Sequence, residues 1–229
     1  MFDVRGDLSQ TGTGAISAPG LAIRVIGNTV LNNLSNDIDV FAADTDGAIR
    51  YVDSNDLKVG VVATVNPAIQ VDGILTSDDD VKVTAGGNVT LEEAVNLGEG
   101  DLFLDVDGDV SQLPAGTIDA AGLGLMVEGE TVLNEANDID VLAANNNNGA
   151  TQVNDINDLK VGTVTAEAVS ADRAMSAMNG TMDAPEMSVT GVTTSDDDVK
   201  VTAGGNVTLE EAVNLGEGDL FLDLSLIHI

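Results

Sequence analysis

The chain has no Cys, no Trp, one Tyr and four Phe in 229 residues, and only 8 Lys plus Arg against 39 Asp plus Glu. Without Cys there are no disulfide frameworks, no thiolate nucleophiles and none of the commonest structural zinc sites, so any metal would be held by oxygen ligands. The shortage of cations at a net charge of −31 argues against nucleic acid and anionic lipid as partners, because both are held by Lys and Arg. No charged segment followed by an apolar stretch opens the chain, and no apolar run approaches the ~20 residues of a spanning helix. The only His, His228, lies in the closing run LSLIHI (224–229), which looks like a translated sequencing adapter and is set apart as non-native. Phe2-Asp3-Val4 aligns with Leu104-Asp105-Val106 inside a later repeat, so both ends are expected to be cut from a longer protein.

What the chain does contain is apolar residues, 43% of the total and mostly Val, Leu, Ile and Ala, interleaved with 25 Gly. That is the composition of a folded β protein and not of a disordered acidic tail. Residues 76–105 recur unchanged at 194–223. Upstream, GDLSQ at 6–10 matches GDVSQ at 108–112, NDIDV at 36–40 recurs at 137–141, and NDLKV at 55–59 recurs at 157–161. The chain therefore divides into a first unit (1–105), a second unit (106–223) and the adapter-like tail (224–229). The extra residues of the second unit fall near 164–190, a Met- and Ala-rich stretch carrying Met175, Met178, Met182 and Met187, and are expected to lie outside the regular scaffold.

A shorter pattern runs inside the long repeat: a small polar corner, then apolar, any, apolar. Asn36-Asp37-Ile38-Asp39-Val40 and Asp79-Asp80-Val81-Lys82-Val83 are examples. Alternation puts Val81, Val83 and Ala85 on one face with Lys82 and Thr84 on the other, as in a half-buried strand. Asn, Asp and Gly at each corner supply chain reversals. Gly47, Gly73 and Gly100 are spaced by 26 and 27 residues, the size of one solenoid coil. The expectation is an all-β chain forming a right-handed parallel β-helix (β-solenoid) of about 20–27 residues per coil, some eight or nine coils in all. Tandem Ig-like β-sandwiches are the alternative; they favour a buried aromatic or disulfide between sheets.

The runs NDLKVGTV, TSDDDVKVTAGGNVTLEEAVNLGEGDLFLDVDGDVSQ and GTIDAAGLGLMVEGETVLNEANDIDVLAA resemble the repeat regions of large secreted bacterial surface proteins of the filamentous haemagglutinin type. The resemblance covers nearly all of residues 2–223. It implies a right-handed parallel β-helix in the extracellular space or on a bacterial cell surface, serving as an adhesin stalk or matrix component. The partners it implies are a host or neighbouring cell surface, extracellular matrix or polysaccharide, and neighbouring repeats of the same chain.

Two groups of residues are candidate sites. Asp78, Asp79, Asp80 and their copies Asp196, Asp197, Asp198, together with Asp105, Asp107 and Asp109, could supply oxygens to calcium, which takes six to eight. None completes an EF-hand loop, and the plainer reading is a solvated corner that keeps strand edges apart. Arg5-Gly6-Asp7 spells a tripeptide that integrins recognise, although the second unit has Asp107-Gly108-Asp109 there. A calcium-dependent, polysaccharide-acting β-helix enzyme is the second functional reading. The eight scattered cations and the absence of a Cys nucleophile, of a His outside the tail and of an aromatic platform speak against it, so the segment is expected to be non-catalytic.

Overall fold

The computed structural model describes residues 1–65, 68–166, 169–170, 183–184 and 187–224. The described residues are all-β without a helix, wound as a parallel β-solenoid of about 10 turns. At ~4.8 Å per turn the stack is roughly 50 Å long.

Strand pairing sorts the chain into two walls. On one, Leu57, Val89, Val110, Thr131, Thr151, Val199 and Leu220 stand above one another. On the other the stack is Leu8, Thr29, Ile49, Val81, Leu102, Leu123, Leu142, Val161 and Leu209. We call these wall I and wall II. Their inward residues merge into one continuous core running from Leu21 to Leu215. The alternation expected of Val81–Ala85 is observed, with Val81, Val83 and Ala85 buried and Lys82 and Thr84 half-buried outside. Each fully buried aliphatic side chain contributes about 1.5–3 kcal/mol. The one Tyr is used inside: Tyr51 is buried, stacks flat on Phe41 at 4.5 Å between centroids, and donates its hydroxyl to Asp53 at 2.7 Å.

The coil is shorter than the glycine spacing suggested. Ile74 pairs with Val95 and Val81 with Leu102, a step of 21 residues, and Thr29 pairs with Ile49, a step of 20. Gly73 is not a coil corner at all. It closes the base of an excursion, its amide bonded to the carbonyl of Gly60 at 3.0 Å, while Val61–Val65 and Ala68–Asp72 pair antiparallel as a projecting arm. Arm 1 folds over wall I, where Val62 and Val71 cover Ala22 and Ala42.

The second unit repeats this device. Gly191 donates to Gly162 at 2.8 Å, and the described residues between them leave the coil. Thr163–Ala166 pairs antiparallel with Met187–Thr190, and Val169–Ser170 with Asp183–Ala184. Gly73 and Gly191 both take positive φ, 63° and 67°, and an added Cβ would meet the carbonyl oxygen of Ala94 or Ala212 in the next coil at 2.0 or 2.3 Å, so glycine is required at both bases. The extra length of the second unit is thus a longer version of an arm that the first unit already has. Arm 2 covers wall II, where Val164, Ala166 and Val189 close over Phe103 and Ala143.

The two arms face different ways because a unit is not a whole number of coils. Leu8, Thr29, Ile49, Val81 and Leu102 mark four turns on wall II, yet Val110, the counterpart of Leu8, stands on wall I. One unit therefore winds about four and a half turns.

Candidate functional site

The acidic triplets sit where the chain turns between the walls, and their carboxylates are engaged by the coil above. Asp78 accepts the amide of Glu99 at 3.2 Å and Asp80 that of Asp101 at 3.0 Å. The copies do the same: Asp196 accepts from Glu217 and Asp198 from Asp219, each at 2.8 Å. Asp78 and Asp196 adopt positive φ, 64° and 68°, and Gly98 and Gly216 above them are left-handed too. Asp79 points elsewhere; burial first, then Asp80 and Asp78, raise its pKa above the ordinary carboxylate value. Asp197 is half-buried.

A second corner carries a longer ladder of the same kind. Asp56 accepts from the amide of Asn88, Asn88 from Asp109, and Asp109 from Glu130, at 2.7 to 2.8 Å. Asp105 lies on the outside of wall II, bonded to Lys82 at 3.0 Å, and the amide of Asp107 donates to Ala85 at 3.0 Å. The nine candidate aspartates are thus spread over separate corners and strands. Among the described residues no group of three or more His, Cys, Asp or Glu is arranged to hold a metal ion. What the corner side chains do is accept backbone amides that the turning chain leaves without strand partners, which is the usual role of Asn and Asp at turns.

Arg5, Gly6 and Asp7 lie at an exposed corner between Phe2–Val4 and Leu8–Ser9, and one oxygen of Asp7 accepts the amide of Asn28 at 2.8 Å. Of the methionines in the long excursion, Met187 lies in arm 2 against the cluster around Phe103 and contacts the amine of Lys82 through its sulfur. Met175, Met178 and Met182 lie outside the described residues.

A polar system at the ends of the matched runs is buried, apart from the half-buried Gln112. Gln10 donates to Asn36 at 2.6 Å, and Asn36 donates to the carbonyl of Val52 at 3.0 Å, one coil on. Asp53 accepts from the amide of Ile38 at 2.9 Å. In the second unit Gln112, Asn137 and Asp155 repeat these contacts, with Gln112 to Asn137 at 2.6 Å, Asn137 to the carbonyl of Asn154 at 2.9 Å, and Ile139 to Asp155 at 2.8 Å. Burial raises the pKa of Asp155 against the pull of the amides bonded to it. The signal was in the sequence: Gln10 and Gln112 end the matched GD-x-SQ runs, and Asn36 and Asn137 begin the matched NDIDV runs. Their role follows from the loops at 11–15, 32–35 and 113–117 and from the bulge between Leu133 and Asn137 within the strand Thr131–Asn146, where the ladder is interrupted and side-chain amides replace the missing backbone bonds.

Two charged groups stand apart. Arg50 is buried on the outside of wall II, and burial pulls its pKa below the usual value while Asp80 opposes the shift. Asp101 is tucked beneath arm 2, accepts the amide of Thr165, and has its pKa raised to about 6 by burial and by Asp80. A shallow hollow of about 430 Å³ is lined by Asp37, Asp39, Asn55, Asp56, Gly86 and Gly87. It is acidic and open, and it combines no nucleophile with a base.

Comparison with protein-family models, with curated proteins and with solved structures finds no match to this chain.

Proposed function

We propose that this chain is a non-catalytic structural and adhesive segment of a secreted or surface-attached bacterial protein, a rod that carries binding arms. The observation that carries this reading is the contrast between a constant scaffold and variable arms. Residues 76–105 and 194–223 are identical, whereas the arms rising from the equivalent Gly60/Gly73 and Gly162/Gly191 bases differ in length and sequence. A scaffold that keeps its coil and changes its projections suits recognition, since binding residues concentrate on loops held by a rigid frame. The amide-accepting acidic corners give the rod a solvated, negatively charged surface that discourages sideways pairing. The resemblance to filamentous haemagglutinin-type repeats adds the extracellular setting and a cell surface, matrix or polysaccharide as the partner.

The test is removal of residues 163–190 by joining Gly162 to Gly191, which are already hydrogen-bonded. Labelled full-length chain is expected to bind host cells or surface polysaccharide and the shortened chain to lose that binding while keeping its β-sheet circular dichroism. Undiminished binding without arm 2 would overturn its role as the recognition element.

A further inference from the structure

One corner in the middle of the stack differs from those it stands on. Gly149 lies over Gly129, and Gly129 over Gly108. Val127 pairs with Asn146 and Thr131 with Thr151, so Glu128-Gly129-Glu130 in the lower coil faces Asn147-Asn148-Gly149-Ala150, one residue longer, in the upper. Asn147 and Asn148 are both exposed, and their side-chain amides both donate to the carboxylate of Glu128 beneath, at 2.6 and 3.3 Å.

Other corner asparagines are held more firmly. The side-chain oxygen of Asn28 accepts the amide of Ala48 at 3.1 Å, and the amide after it, that of Thr29, donates to the carbonyl of Ala48 at 2.8 Å. Asn88 is locked in the same two ways, its oxygen accepting from Asp109 and the amide of Val89 donating to the carbonyl of Asp109, each at 2.8 Å. Asn148 has neither lock, and the amide of Gly149 that follows it has no hydrogen-bond partner among the described residues. That nitrogen is free to approach the Asn148 side chain, and glycine has no Cβ to shield it.

We infer that Asn148 is a site of spontaneous hydrolytic deamidation in the folded chain, with water as the co-reactant. The Gly149 nitrogen gives its proton to solvent and bonds to Cγ of Asn148. The Cγ–Nδ2 bond breaks, and ammonia leaves with a proton taken from water, so that a cyclic succinimide remains. Water then opens the ring. Cleavage between Cγ and the Gly149 nitrogen yields aspartate, and cleavage at the main-chain carbonyl yields isoaspartate, whose backbone runs through Cβ and Cγ. One water is consumed per ammonia released, and nothing is oxidised or reduced. The product sets a carboxylate where Nδ2 donated to Glu128, which turns a hydrogen bond into a like-charge contact. Asn147 is the internal control, since it is also exposed and bonded to Glu128 but is followed by a residue whose Cβ shields the nitrogen. The other Asn-Gly pair, Asn179-Gly180, lies outside the described residues. This inference does not depend on the adhesive reading.

Incubation of the full chain in mildly alkaline buffer, followed by ion-exchange chromatography and tandem mass spectrometry of its peptides, tests it. The expected result is conversion at Asn148 to a mixture of aspartate and isoaspartate, with one added negative charge and with Asn147 and Asn88 intact. Conversion should slow in mildly acidic buffer, because the attacking amide must lose its proton. It should also run in the folded chain within an order of magnitude of its rate in guanidinium, where no corner protects any asparagine. Asn148→Gln alters an exposed side chain, is expected to keep the circular dichroism and melting of the parent, and should lose the product in that peptide. Asn148→Asp should elute from the start with the aged species. Conversion slower in the folded chain by more than an order of magnitude, equal conversion at Asn147, or isoaspartate forming as fast in the same peptide of Asn148→Gln would each overturn the inference.

Discussion

Residues 76–105 and 194–223 are the same sequence in two surroundings, and comparing them separates what the chain encodes locally from what stacking supplies. The local conformation is shared: Asp78 and Asp196 have φ of 64° and 68°, Gly98 and Gly216 of 58° and 61°, and the aspartates accept the same amides. Burial is not shared. Leu102 and Leu104 are 0% and 1% exposed, whereas Leu220 and Leu222 are 39% and 41% exposed. Even strand length responds, since Val95–Val106 is one continuous strand and its copy is split into Val213–Asn214 and Leu220–Leu224. Corner geometry is written in the sequence, while a core is a property of neighbours, as expected where stability sums over adjacent coils.

The largest effect that could break this comparison is truncation of a core leucine. Leu104→Ala is expected to cost about 2–5 kcal/mol in urea unfolding, and Leu222→Ala well under that, because the latter leaves no enclosed cavity. Equal losses would mean that something covers the edge coil in solution.

A backbone substitution should instead erase the difference. At Gly98 and Gly216 a Cβ would lie 2.2 and 2.1 Å from Oδ1 of Asp78 and Asp196, and the left-handed conformation costs a non-glycine residue about 1–2 kcal/mol. Both Gly→Ala variants are expected to lose similar stability in the same unfolding assay, since the strained corner and the aspartate beneath it are present in each.

The smallest effect concerns protons. The Asp101 pKa is raised to about 6 from an ordinary 3.8, so the folded chain binds this proton more tightly than the unfolded one. The resulting stabilisation is fully present below about pH 4, declines as pH rises through 6, and is absent above. Asp101→Asn is expected to flatten the melting temperature across that window. Its exposed counterpart Asp219, which no arm covers, gives the matched control as Asp219→Asn. Equal flattening in the two variants would show that arm 2 does not set the shift.

The architecture could be read from the sequence because alternating aliphatics and Asn, Asp or Gly corners describe a coil directly, as Val81–Ala85 illustrates. The coil length was harder. Gly47, Gly73 and Gly100 are two corners and an arm base, whereas the glycines that stand over one another are Gly27 and Gly47, and Gly87, Gly108, Gly129 and Gly149. Arm 1 is marked in the sequence only by Asn66-Pro67 between two apolar runs, and it is the register that shows Gly73 bonding back to Gly60. The Gln10–Asn36 and Gln112–Asn137 pairs were visible as matched motifs, but the same residue types mark both exposed corners and internal amide ladders. Placement inside or outside follows from which wall the adjacent strand occupies, and that depends on counting coils correctly.

The half-turn left over in each unit gives unit number a parity. Adding or removing one unit of four and a half turns would carry every later arm to the opposite side of the rod, and two units would restore it. A change of copy number would thus leave each coil intact and still invert the handed arrangement of the arms, so the side a partner meets would depend on whether the count is odd or even.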